Sequence, residues 1–223
     1  MFGMFGSSKD EWEYPELESP QNKKEYQKVG KSALRDRREL LDSEGWEIVS
    51  EASDPESVNI EKKIVDDSGV AMVRVTGYAK IDDERTIKDL AHSLFDPSEK
   101  LQKRMYDSVD SYEKTHTISD NLSIGHTTAK VSGISNREFV ALRTIEENSD
   151  GSYLVAVQSI NHPDYLHTSS AVRGTFRNGI ELTPVTDSIV QIRAVEHVNP
   201  KGWVPGFIIN SFIADAGSWI HRL

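Results

Sequence analysis

The chain contains no cysteine. That absence excludes disulfides, thiolate metal sites, cysteine nucleophiles and cysteine-linked lipid anchors together. It fits a reducing compartment. Long hydrophobic runs are missing as well, so no helix is expected to span a bilayer. The opening MFGMFGSSKDEWEYP has neither a basic n-region nor a continuous apolar stretch, so it does not read as a secretory signal. Positive charge is outweighed: 26 Lys and Arg stand against 36 Asp and Glu, a formal net charge of -10 over 223 residues. General nucleic-acid binding and charge-driven docking on anionic membranes both rest on Lys and Arg, so neither is expected. These absences together give the expectation of a cytoplasmic protein.

Nucleotide and hydrolase signatures are also missing. No G-x-G-x-x-G follows a strand, and there is no Walker A loop, no G-x-S-x-G elbow and no H-E-x-x-H pair. The seven His residues are scattered. His162 and His167, in HPDYLH, stand closest together, and a metal site there needs further ligands brought by the fold. Otherwise they are surface residues of a loop.

What is present divides into a tail and one domain. Residues 1–21 mix Gly, Ser and Pro with acids and read as a tail that needs docking to be ordered, with Phe2, Phe5, Trp12 and Tyr14 available for a protein partner. From residue 22 onward the period is first helical. Tyr26, Val29, Ala33, Leu34, Leu40 and Leu41 form a stripe over 22–43. The period then changes to two, with strands from Trp46, over 58–65 and over 70–79, the last two joined by the turn signal at 66–69. Helical spacing returns over 86–95, and Pro97 is placed to open a second short helix. Six strands follow, near 111–119, 122–131, 137–147, 152–161, 170–183 and 186–197, and a helix runs from Pro205 to about Arg222. The order predicts an α+β fold: a curved antiparallel sheet of about nine strands, closed by a long C-terminal helix. A helix across a strongly curved sheet leaves apolar space beneath it, the default place for a ligand.

Alternation along the strands selects polar residues for that space. In FVALRTI, Phe139, Ala141 and Arg143 share one face. A buried Arg143 needs a protein carboxylate or an anionic ligand group, because an isolated buried cation is very costly. Arg173, in SAVRGTF, raises the same question, and His126 lies on a strand expected to face the cavity on alternate residues. Outer-face or sheet-edge positions remain open for both Arg residues; His126 is either a base on a bound ligand, a hydrogen-bonded core residue or a solvent-exposed one.

Four stretches in order carry a resemblance. They are GWEIV with Trp46, SNREFVALR at 135–143, SINHP followed by AVRGTF, and KGWVPGFIIN near the C-terminus. Together they resemble the StAR-related lipid-transfer (START) domain family over about residues 22–223. The resemblance implies a helix-grip fold around a tunnel for one lipid, lidded by the C-terminal helix. It implies transfer of sterols, phospholipids or ceramide between membranes, with no cofactor, metal or catalytic residue. Two departures matter. Tyr106-Asp107 stands where the family often has Trp-Asp. Sterol-binding members pair an acid with the Arg matched by Arg143, and the corresponding position here counts to Ile124, which favours phospholipid.

On this reading Ile209, Phe212, Ile213, Ala216 and Ile220 form the lid's cavity stripe, and the loops 132–136 and 162–169 flank the mouth. Gly202 allows a sharp turn out of the last strand, and Pro205 suits a helix's first turn. Trp203 serves either as a staple holding the lid to the sheet or as an aromatic at a lipid interface. The protein is then cytoplasmic and peripheral at membranes, with transient surface contact. A lipid sensor with the same pocket, a helix-grip enzyme on a hydrophobic substrate and a side-chain-filled interior stay open as alternatives.

Overall fold

The computed structural model describes residues 17–54, 57–65, 70–82, 84–165 and 170–223. The expected aromatics of the tail, the turn at 66–69 and His167 lie outside the described residues. Helix α1 (Lys23–Asp42) leads into β1 (Glu47–Ser50), β2 (Asn59–Ile64) and β3 (Ala71–Lys80). Helices α2 (Ile87–Phe95) and α3 (Glu99–Met105) follow. Then come β4 (Val109–Ser119), β5 (Leu122–Ala129), β6 (Arg137–Glu147), β7 (Tyr153–Ser159), β8 (Val172–Arg173), β9 (Thr175–Pro184), β10 (Ile189–Glu196) and β11 (Val198–Asn199). The chain closes with α4 (Gly206–Ala214) and a 3-10 turn, Ser218–Arg222. The main sheet runs β1-β2-β3-β10-β9-β7-β6-β5-β4, antiparallel throughout, with β11 on β9 and a short parallel β8 on β6. This is the expected α+β helix-grip architecture.

Each face of the sheet has its own cover. Alternate residues of β6 divide between them. Val140 and Leu142 pack with Tyr26 and Val29 of α1, while Ile145 packs with α2, α3 and the C-terminal turn. The α1 face continues through Met72, Leu154, Ala156 and Val195 under Ala33, Leu34 and Leu41. The opposite, inner face carries Val75, Val155, Leu182, Ile192 and Ala194 against Leu90, Leu94, Phe95, Trp219 and Ile220.

Helix α1 is capped by Asn22, whose side chain accepts from the Glu25 N–H at 3.1 Å. Its stripe differs from expectation in one place: Leu40 is half-buried, and Arg37 is enclosed instead. The Arg37 guanidinium donates to the carbonyls of Asn178 (3.1 Å) and Val157 (3.3 Å) and bonds the Asp36 carboxylate. Burial pulls it down to about 10. Its stem lies over Gly179, where an added Cβ would stand 2.7 Å from Arg37 Cβ.

Three expectations are corrected. Pro97 does not begin α3; Ser98 caps it, accepting from the Leu101 N–H at 3.1 Å, and Pro97 precedes the cap. The strand expected over 170–183 breaks at Gly174, where a Cβ would meet the Phe139 ring at 2.3 Å and the Asn199 carbonyl at 3.0 Å. Before the break the chain pairs with β6, after it with β7. The C-terminal helix is divided. Pro205 is its N-cap, α4 ends at Ala214, and Gly217 turns left-handed at φ 79° while passing close to Val75. That turn sends Trp219 into the core.

Gly179→Ala forces α1 away from the sheet and is expected to lower stability by about 1–3 kcal/mol, measured by urea unfolding. An unchanged midpoint would mean that the Arg37 stem is not seated on this glycine.

Candidate functional site

The inner face carries a short list of polar groups. Arg143 is 7% exposed. One guanidinium nitrogen donates to the Leu94 carbonyl at 3.1 Å, and the group lies 5.2 Å over the Tyr112 ring. Among the described residues no carboxylate forms an ion pair with it. The cross-strand neighbour of Arg143 on β5 is Ser123. The Ser123 Oγ and the Tyr112 hydroxyl are both buried without a hydrogen-bond partner. Burial raises the Tyr112 hydroxyl, and the nearby Arg143 charge works against that rise. A buried cation with one carbonyl partner thus shares a face with two idle hydroxyls. Native interiors rarely leave such groups unmatched.

Sequence reasoning counted one residue away from this arrangement. Ile124 was expected opposite Arg143; it is fully buried on the other face, with Tyr26, Val29 and Leu142. Because the side-chain period of a strand is two, a shift of one position exchanges the faces. Ser123 and Tyr112 were missed, although the face of Arg143 identifies them once the β5–β6 register is known.

His126 and Arg173 are not brought to Arg143. His126 pairs across strands with Val140, which packs under α1, so it belongs to the α1 side. Its Nε2 donates to Glu138 Oε2 at 3.3 Å. Arg173 donates to Glu138 Oε1 at 3.2 and 3.3 Å and to the Tyr165 carbonyl at 2.8 Å. Burial pushes the Glu138 carboxyl up, but the His126 bond and the Arg173 charge outweigh it and hold the group below its usual range. Phe139 does lie on the Arg143 face, stacked on Phe176 with centroids 4.0 Å apart.

The C-terminal residues divide. Ala216 and Ile220 are buried in the inner core, with Ile213 packed against it. Ile209 is half-buried, and the fully enclosed residue of α4 is Ile208. Phe212 is 47% exposed, so it does not belong to an inward stripe; the break after Ala214 changes the helix's rotation. Trp203 is 75% exposed and Phe207 74%, so Trp203 is not a staple. The turn into α4, where a hinge is expected, is held through its main chain instead. Arg137 Nε donates to the Pro200 carbonyl at 3.1 Å, and NH2 donates to those of Lys201 (3.1 Å) and Trp203 (3.3 Å). Lys201 and Gly202 take left-handed φ of 49° and 62°. A separate cleft of about 250 Å³ lies between Ile87 and Pro184, and no expected ligand residue lines it.

The last turn is fastened by Trp219, whose indole N–H donates to Glu196 Oε1 at 2.5 Å. Glu196 is half-buried as a residue, its carboxyl being the enclosed end. Burial lifts this carboxyl from 4.5 to about 7, against the lowering effect of the Trp219 bond. A carboxyl raised in the folded state keeps its proton longer than in the unfolded chain. Its contribution to stability is therefore full below about pH 4.5, declines as pH rises to about 7, and is flat beyond. Glu196→Gln is expected to remove that decline and to be the more stable form at pH 8, in urea melts at pH 5 and pH 8. A wild-type decline of the same size in both proteins would assign it elsewhere.

The profile of the START domain family matches residues 34–216. No curated protein matches the sequence. Among solved structures, human StAR-related lipid transfer protein 5 superposes with a TM-score of 0.74 at 17% identity, covering 89% of this chain and 94% of its own. Human STARD10 gives 0.69 at 16% identity, covering 92% and 80%. A STAR-related lipid transfer protein from Xanthomonas axonopodis gives 0.61 at 22%, covering 77% and 92%. With the sheet order and the divided faces described above, the match over most of its length makes this chain a member of the START domain family.

Proposed function

We propose that the protein binds a single phospholipid on the inner face of its sheet and carries it between membranes. The observation that supports this most is Arg143. It is a buried cation without a carboxylate partner among the described residues, on the same face as the unmatched hydroxyls of Tyr112 and Ser123. A phosphate oxygen satisfies all three groups: the guanidinium gives charge-assisted bonds and the hydroxyls add neutral donors. A sterol hydroxyl carries no charge and leaves the cation uncompensated. The enclosed acid on this face, Glu196, is bonded to Trp219. No catalytic residue is assigned, because the reading needs binding alone.

An acyl chain costs about 0.8 kcal/mol per CH₂ to expose to water, so exchange requires contact with a bilayer. The entrance to α4 suits that contact. Trp203 and Phe207 are large, exposed and close together in sequence, and Phe212 is half in solvent. Among the described residues no helix is long and apolar enough to cross a membrane. The contact is peripheral and reversible.

Native mass spectrometry of the purified chain is expected to find one phospholipid per protein. Arg143→Met should reduce phospholipid uptake by at least about tenfold while leaving the fold intact, since an apolar residue in place of a buried charge is often neutral or stabilising. Recovery of sterol alone, or unchanged uptake by the variant, would overturn the phospholipid assignment. In a vesicle-to-vesicle assay, Trp203→Ala with Phe207→Ala should slow transfer and weaken vesicle binding without lowering the melting temperature. Equal transfer rates would remove these rings from the membrane contact, and lipid held without exchange would mark a sensor.

A further inference from the structure

The α1 face of the sheet holds a second group of polar residues. His116 lies on β4, and His162 and Asp164 lie in the loop after β7. One ligand-type atom from each of the three comes within 4.8 Å of the others. The rings of His116 and His162 stand 4.6 Å apart, and His116 Nε2 is 3.4 Å from Asp164 Oδ2. The sequence alone offered His162 without the partners a metal needs. The fold brings them from a different strand and from the loop itself.

We propose that His116, His162 and Asp164 bind a divalent transition metal of the zinc class, which clasps the loop after β7 to β4. The hydrogen bonding around His116 carries the argument. The Thr115 hydroxyl donates to the Ile124 carbonyl at 3.2 Å, so its oxygen accepts from His116 Nδ1, 3.2 Å away. In the neutral ring this fixes the proton on Nδ1 and leaves the Nε2 lone pair facing the Asp164 carboxylate. Two acceptors facing each other at 3.4 Å repel unless a positive charge lies between them. The spacing also fits. With metal–ligand bonds of about 2.0–2.1 Å, the edge of a coordination tetrahedron is about 3.4 Å. The outer hydrogen bond from Nδ1 to an oxygen is the support that metal-bound His residues ordinarily have.

His162 supplies the third corner after a small movement. It is buried, and burial disfavours its charged form, in line with the neutral ring that a metal requires. Its Nδ1 accepts from the Asp164 N–H at 3.2 Å, which folds the loop back over the His pair. Half a turn about Cβ–Cγ puts each ring nitrogen where a ring carbon stood, with little change of shape. Two imidazoles and one carboxylate form a borderline donor set, suited to zinc and less to calcium or magnesium. Asp164 is largely exposed, so the fourth position opens to water.

The loop so clasped already has other ties. The Asn161 N–H donates to the Glu18 carbonyl at 2.9 Å, and the Tyr165 carbonyl receives Arg173. A metal at its centre therefore steadies the N-terminal segment and the Arg173–Glu138 pair at once.

The test uses the tag-free full chain, freed of metal with a chelator and titrated with cobalt(II) and zinc(II). One equivalent of cobalt should bind with the intense visible bands of a low-coordinate nitrogen–oxygen site, zinc should displace it, and zinc should raise the melting temperature. Asp164→Asn and His116→Gln should each weaken binding by at least about tenfold, and His221→Gln, an exposed residue elsewhere, should not. Asp164→Asn keeps the side chain's shape at an exposed position, so equal melting of variant and wild type in chelator excludes misfolding. Absence of stoichiometric binding at micromolar metal would overturn the proposal and leave only a proton between His116 and Asp164. Binding that both variants leave unchanged would overturn it as well.

Discussion

The seating of α1 on the sheet through Arg37 is the constraint on which the rest depends. A strongly twisted sheet has two apolar faces, and both must be covered. Arg37 lies flat over Gly179 and ends among the carbonyls of Asn178 and Val157. This commits one face to a packed helix. The other is left to α2, α3 and the C-terminal segment, four short pieces with α4 among them. Short pieces with loops between them open at lower cost than one long packed helix. The asymmetry of the covers sets one continuous helix on one face against several short pieces on the other.

Four arginines show how the interior manages buried cations. Arg37 has Asp36, Arg173 has Glu138, and Arg137 has a set of main-chain carbonyls. Arg143 has one carbonyl and an aromatic ring. The first three are complete with protein groups alone, and they hold helix to sheet, strand to strand and hinge to strand. The fourth is incomplete by the same standard. Arg residues of similar burial thus differ in kind according to what surrounds the guanidinium.

Much of this was legible in the sequence. The strand expected over 137–147 is β6, residue for residue, and the helix expected over 22–43 is α1 with its cap. The shared face of Phe139 and Arg143 followed from alternation alone. Partners across strands did not. Register is set where two strands join, and the chain between Ala129 of β5 and Arg137 of β6 is too long for a tight turn from which to count it. That is why Ile124 stood in for Ser123, and why His126 was placed on the wrong side. The break at Gly174 falls where Phe139 leaves no room for a Cβ, a closeness that no local pattern in AVRGTF reveals. The exposure of Trp203 was undecided because a Gly-Trp-Pro turn fits a staple and an interface equally well.

Arg137 grasps the hinge by the oxygens of its peptide bonds, and every residue type offers the same oxygen. The exposed ring of Trp203 is thus released from any duty in holding this turn. It can change among descendants of this gene, while the left-handed backbone at Lys201 and Gly202 resists change. A lineage can retune what the entrance touches, ring by ring, without first having to rebuild the turn that carries it.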